Sequence, residues 1–169
     1  VLARQIANNL EQYHYSRRPI DKDFSAQVFD RYLNGLDGQH SYFLATDVAA
    51  MSKWRTGFDD MIHTGALEPA YSMFARLQER NRERIQYALS LLATEPNWKL
   101  DERYSFDRDK APWPRDVAEL NELWRQRVKS DALSLMLTGK TWPETAEILR
   151  KRYQRVLARV GQVSSNDVF

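Results

Sequence analysis

Asp37, His40 and Ser41 stand within five positions of one another, and an acid, an imidazole and a hydroxyl are the parts of a hydrolytic triad. Triads, however, assemble residues from distant segments around an oxyanion hole, so hydrogen bonding within one loop is the better expectation for these three. The other histidines, His14 and His63, fall on separate segments. None of the three has the i, i+4 histidine partner of a helical metal site, and no metal or cofactor is expected. Lys129-Ser130 and Lys140-Thr141 bring an amine near a hydroxyl. A catalytic lysine must be desolvated to lose its proton, and nothing apolar in the sequence encloses either one. GxGxxG, GxxxxGK[ST] and GxSxG patterns are all missing, which removes phosphate cradles and nucleophile elbows.

Two basic rows invite a different chemistry. Arg150, Lys151, Arg152, Arg155 and Arg159 follow the turn Gly139-Lys140-Thr141-Trp142-Pro143-Glu144, an order that resembles a helix-turn-helix and defines the alternative reading, a helical nucleic-acid-binding module. Against it, Glu144 and Glu147 occupy the helix start, where they would repel phosphates, and the formal net charge is only +2. Arg76, Arg80 and Arg84 repeat every four residues beside Glu79 and Glu83, which reads as a solvated helix face. No nucleic-acid partner is expected.

The elements that must position these residues are helices. The 169 residues hold only 6 Gly and 6 Pro, too few for a fold of many tight turns, while 43% hydrophobic residues with nearly balanced charge argue against disorder. Zero cysteine excludes disulfides and thiolate chemistry without fixing a compartment. Six helices are expected in one all-α domain spanning residues 1–169. Apolar stripes place them: Leu2, Ile6, Leu10, Tyr13; then Phe24, Val28, Tyr32, Leu36 behind Asp21 or Asp23 as cap; then Met51, Trp54, Phe58 with Met61 or Ile62, capped by Thr46. A long helix from Ala66 to about Ala93 has a polar middle, Gln78 to Arg84, expected to cross solvent or a partner surface. Asp116 with Glu119 forms a capping box ahead of inward-facing Val117, Leu120, Trp124 and Val128, and Thr141-Trp142-Pro143-Glu144 forms another before the last helix.

Between Thr94 and Pro114 the periodicity stops, yet Trp98, Tyr104, Phe106 and Trp113 all lie there. Such a loop must be strapped down by its aromatics or used for binding, strapping being the favoured role. Its candidate contact residues are Trp98, Tyr104 and Trp113; the apolar stripe Leu2, Ile6, Leu10 and Tyr13 is the other candidate, for self-association. No apolar run approaches the ~20 residues of a membrane span. The absence of an initiator Met and the open end Asn166-Asp167-Val168-Phe169 are those expected of a piece of a longer chain.

Several segments resemble the N-terminal helical region of the tail-specific, or carboxy-terminal processing, proteases of Gram-negative bacteria. They are Phe29-Asp30-Arg31-Tyr32-Leu33-Asn34 with Leu36-Asp37, Leu44-Ala45-Thr46-Asp47-Val48, Gln86-Tyr87-Ala88-Leu89-Ser90, Asp107-Arg108-Asp109-Lys110-Ala111-Pro112-Trp113-Pro114, Ala118-Glu119-Leu120-Asn121 with Leu123-Trp124, and Leu137-Thr138-Gly139-Lys140-Thr141. The resemblance implies a periplasmic serine endopeptidase in which this region precedes a PDZ domain and a Ser-Lys peptidase core. Neither is present here, so no catalytic residue carries over. What it implies for these 169 residues is a non-catalytic accessory domain that contacts the rest of the parent protease, its protein substrates, a second copy, or a lipoprotein adaptor built of helical repeats.

Overall fold

In the computed structural model the described residues are 22–58, 61, 64–162; they form five α-helices and no strand. The helices are α1 (Lys22–Leu36), α2 (Ala45–Met51), α3 (Glu68–Leu91), α4 (Val117–Met136) and α5 (Trp142–Gln162). The expected first helix, with Leu2, Ile6, Leu10 and Tyr13, lies outside the described residues, as do Asp21, His14, His63 and Ile62. None of the described helices is long and apolar enough to cross a membrane.

Two apolar clusters organise the chain. Phe29, Tyr32, Phe43, Met51, Phe58 and Met73 form the first, where the Phe29 and Phe58 rings meet edge to face at 5.6 Å. Ile85, Ala88, Leu120, Trp124, Leu149 and Tyr153 form the second, between α3, α4 and α5. Helix α3 has 24 residues, hence a length of about 36 Å, and its two ends root in different clusters.

That geometry corrects the expectation for the polar middle of α3. Arg84 is only 4% exposed, its Nη1 donates to Asn121 Oδ1 on α4, and burial pushes its guanidinium pKa down. Arg80 grips Asp47 with two bonds, at 2.8 and 3.0 Å, and hydrogen bonding to that carboxylate pushes its pKa up. Of the row Arg76, Arg80 and Arg84, Arg76 stays most in solvent, paired with Glu79 at 2.9 Å and 3.7 Å from Asp47. The middle of α3 therefore turns one face, Arg80 and Arg84, to Asp47 and α4, while Glu79, Arg82 and Glu83 remain exposed on the other.

Asp47 explains a second difference. The start of α2 is capped by Asp47, not Thr46: its carboxylate Oδ2 accepts from the Leu44 backbone N–H at 2.9 Å. After Met51 the expected helix tightens into a 3₁₀ turn, Ser52–Trp54. Ser25 Oγ captures the Arg55 carbonyl at 2.9 Å, and Ser52 Oγ bonds back to the Val48 carbonyl at 2.9 Å, so hydroxyls compete for the oxygens a continuing helix would use. At α4 the Asp116 cap accepts from Glu119 N at 2.9 Å, but the other half of the expected capping box is replaced: the Glu119 carboxylate accepts from Arg115, Nε at 3.1 Å and N at 3.4 Å. Val117 is 44% exposed, however, because at the first helical position it lies beyond the edge of the second cluster. Gly139 adopts φ +97 just after α4, a conformation that only glycine takes without strain.

Candidate functional site

The loop after α1 is built around one carboxylate. Asp37 is 2% exposed; its Oδ1 accepts from Ser41 N at 2.9 Å, and its Oδ2 from Tyr42 N at 3.1 Å, Phe43 N at 2.9 Å and Trp113 Nε1 at 3.1 Å. None of these four donors is the His40 ring. The His40 ring instead places Nδ1 against the Ala111 carbonyl and stacks on Trp113 with centroids 3.7 Å apart. Asp37, His40 and Ser41 thus fold a loop, and no acid orients the imidazole as a triad would require.

The segment 94–114 lies across that loop and is fixed at both ends. Arg108 N donates to Gln39 Oε1 at 2.8 Å, and Ala45 N donates to the Pro114 carbonyl at 2.8 Å. Near its start, Lys129 of α4, 9% exposed, donates through Nζ to the carbonyls of Asn97 (2.7 Å) and Leu100 (3.1 Å) and to Glu102 Oε1 (2.7 Å). Arg125 closes on Glu102 from the other side. The enclosure of Lys129, which no local pattern announces, comes from this returning segment, and its amine is spent as donor to three oxygens.

The Arg125 guanidinium, with the Lys129 ammonium, holds the Glu102 carboxyl down at about 2 from its usual 4.5. A depressed carboxyl contributes stability that is complete above its unfolded value and is lost as pH falls toward the folded one. Glu102→Gln is therefore expected to be less stable than the parent at neutral pH, with the gap closing as pH falls from about 4.5 to about 2. Urea titrations at several pH values measure it, and a pH-independent gap would refute the clamp.

Beside the clamp lies a cavity of about 400 Å³. Its walls bring together the loop residues Gln39 and Tyr42, the strap residues Tyr104 and Phe106, and Arg127 and Asp131 of α4. Arg127 sits over the Trp124 indole, 4.5 Å from the ring centroid, and Asp131 Oδ2 accepts from the Tyr153 hydroxyl at 2.8 Å. Burial, with Asp131 beside it, pushes the Tyr153 phenol pKa up and keeps it the donor. Tyr104 and Phe106 meet edge to face at 4.9 Å, and Phe106 is 69% exposed.

The family model described as "Tail specific protease N-terminal domain" matches residues 6–169. The chain belongs to that family. Among curated proteins, the tail-specific protease of Haemophilus influenzae (strain ATCC 51907 / DSM 11121 / KW20 / Rd) is 36% identical over 166 residues, 98% of this chain. That alignment covers 24% of the relative, so the chain spans about a quarter of the protease it matches. Within this tail-specific protease domain, the sequence-derived contact residues separate. Trp113 packs on the first cluster and Trp98 on the second, where its Nε1 donates to Glu95 at 2.8 Å, while Tyr104 lines the cavity. Leu2, Ile6, Leu10 and Tyr13 lie outside the described residues. Sequence reasoning missed Arg127 and Asp131; their i, i+4 spacing on α4 was the available signal.

Proposed function

We propose that this chain is a non-catalytic accessory domain of a periplasmic tail-specific serine endopeptidase and acts through protein contacts: self-association, adaptor docking or substrate gating. The observation that carries this reading is a family match over residues 6–169 in a chain that covers about a quarter of its curated relative. Engagement of Asp37 by four N–H donors, and of Lys129 by three oxygens, supports a structural use of the groups that could otherwise do chemistry. The nucleic-acid alternative is weakened by Glu147, which pairs with Arg150 at 2.6 Å and lies 3.9 Å from Lys151. A gel shift at physiological salt should be blank.

Self-association is assigned to Leu2, Ile6, Leu10 and Tyr13, because apolar residues spaced four, four and three apart offer one stripe for a second copy to cover. Deleting residues 1–13 should lower the mass measured by light scattering. An unchanged mass overturns this assignment. The 169-residue chain should leave unfolded protein uncut, and Ser41→Ala should make no difference; cleavage abolished by that substitution would overturn the non-catalytic reading.

A further inference from the structure

We infer that the cavity between the Asp37 loop, the strap and α4 is a binding site for an uncharged, extended peptide segment of a partner protein, seated with an apolar side chain against Tyr104 and Phe106. This deepens the protein-contact reading above and rests on it. The charges lining the cavity decide the ligand class. Asp37 is engaged by four donors, which leaves Arg127 and Asp131 as the charged groups facing a ligand. They lie one helical turn apart on α4, about 6 Å in rise. Among the described residues, no carboxylate closes an ion pair with Arg127; its guanidinium hydrogen-bonds Tyr42 on the opposite wall and is attracted by Asp131, with further N–H donors to spare. A carboxylate ligand drawn to Arg127 meets Asp131, and an ammonium drawn to Asp131 meets Arg127. A peptide backbone has no net charge and offers carbonyls to the guanidinium and N–H groups to the carboxylate, so it satisfies both.

The site is also built before anything enters it. Arg127 rests on Trp124, whose own Nε1 donates to the Ser41 carbonyl at 2.7 Å, and Asp131 is aimed by Tyr153. The Glu102 clamp anchors the strap two residues ahead of Tyr104. Phe106, 69% exposed, gains little from the fold and lines a cavity whose volume falls in the range of ligand sites.

The test is NMR titration of the 169-residue chain with a short peptide, acetylated and amidated at its ends, carrying one central leucine. Saturable shifts are expected at the amides of Gly38, Gln39 and Ser41, with a Kd of roughly 0.1–1 mM. The same peptide with a free carboxylate, or with lysine for leucine, should bind about fivefold more weakly. Phe106→Ala, at an exposed position where folding is undisturbed, should weaken the neutral peptide about fivefold. Asp131→Asn should turn the preference toward the free-carboxylate peptide, a reversal that simple loosening of the fold would not produce. Lack of saturation, shifts elsewhere, a preference of the unaltered chain for either charged peptide, or indifference to Phe106→Ala would each overturn the proposal. Failure here with the expected mass change on deletion of residues 1–13 would leave the protein-contact reading standing; failure of both would remove it.

Discussion

Replacing Asp37 with Asn is expected to lower the unfolding free energy by about 3 kcal/mol, the largest loss from any single polar substitution in this domain. Hydrogen bonds to a charged acceptor contribute about 1.5–3 kcal/mol each, and a buried donor left unpaired costs about 1–3 kcal/mol. An asparagine can keep one oxygen for the three donors on Oδ2, but its amide nitrogen then faces the Ser41 N–H, donor against donor. In a chain of this size the expected fall in Tm is roughly 10 °C. Urea unfolding followed by tryptophan fluorescence measures it, and a loss under about 1 kcal/mol would show that the loop is held by other contacts. Because Trp113 donates to the same carboxylate and stacks on His40, its emission should change in the folded state as well.

Lys129→Met should cost about 2 kcal/mol, less than the full loss for a buried ion pair because Arg125 still holds Glu102. The methionine fills the channel of the alkyl stem but leaves the Asn97 and Leu100 carbonyls without their donor. Residues 94–106 should then become cleavable in limited proteolysis while far-UV circular dichroism stays helical. Lys129→Met and Glu102→Gln share one interaction, so the double variant should lose less than the two single losses together. Strict additivity would mean that the lysine acts on the carbonyls alone. Uncut strap in the Lys129→Met variant would show that Trp98 and Trp113 hold it without the amine.

Helices α4 and α5 were legible because their signals are local. Asp116 caps Glu119 N three residues on, and Thr141 Oγ1 accepts from Glu144 N at 3.4 Å, both within one turn of sequence. The arginine row of α3 was misread for the opposite reason. A solvated Arg-Glu ladder and a buried Arg80-Asp47 pair look identical along the helix, and Asp47 lies 33 residues away. Thr46 and Asp47 are both good capping residues, and only the backbone shows that Asp47, at the third position of α2, reaches Leu44 N. The burial of Lys129 was hidden because its three partners come from a segment without periodicity, and the cavity was hidden because it joins three separate stretches of chain. The aromatics of the strap were conspicuous in the sequence, yet composition alone does not separate Trp98 and Trp113, which pack on the two clusters, from Tyr104 and Phe106 beside the cavity.

Helix α3 works as a beam shared by two foundations. Met73 is set in one cluster, Ile85 and Ala88 in the other, and the buried arginines brace the span between them. Because one helix of hydrogen-bonded turns is rooted in both, the two clusters are expected to unfold in a single transition and not one after the other. The strap repeats the arrangement across the outside, with Trp98 tied to one foundation and Trp113 to the other.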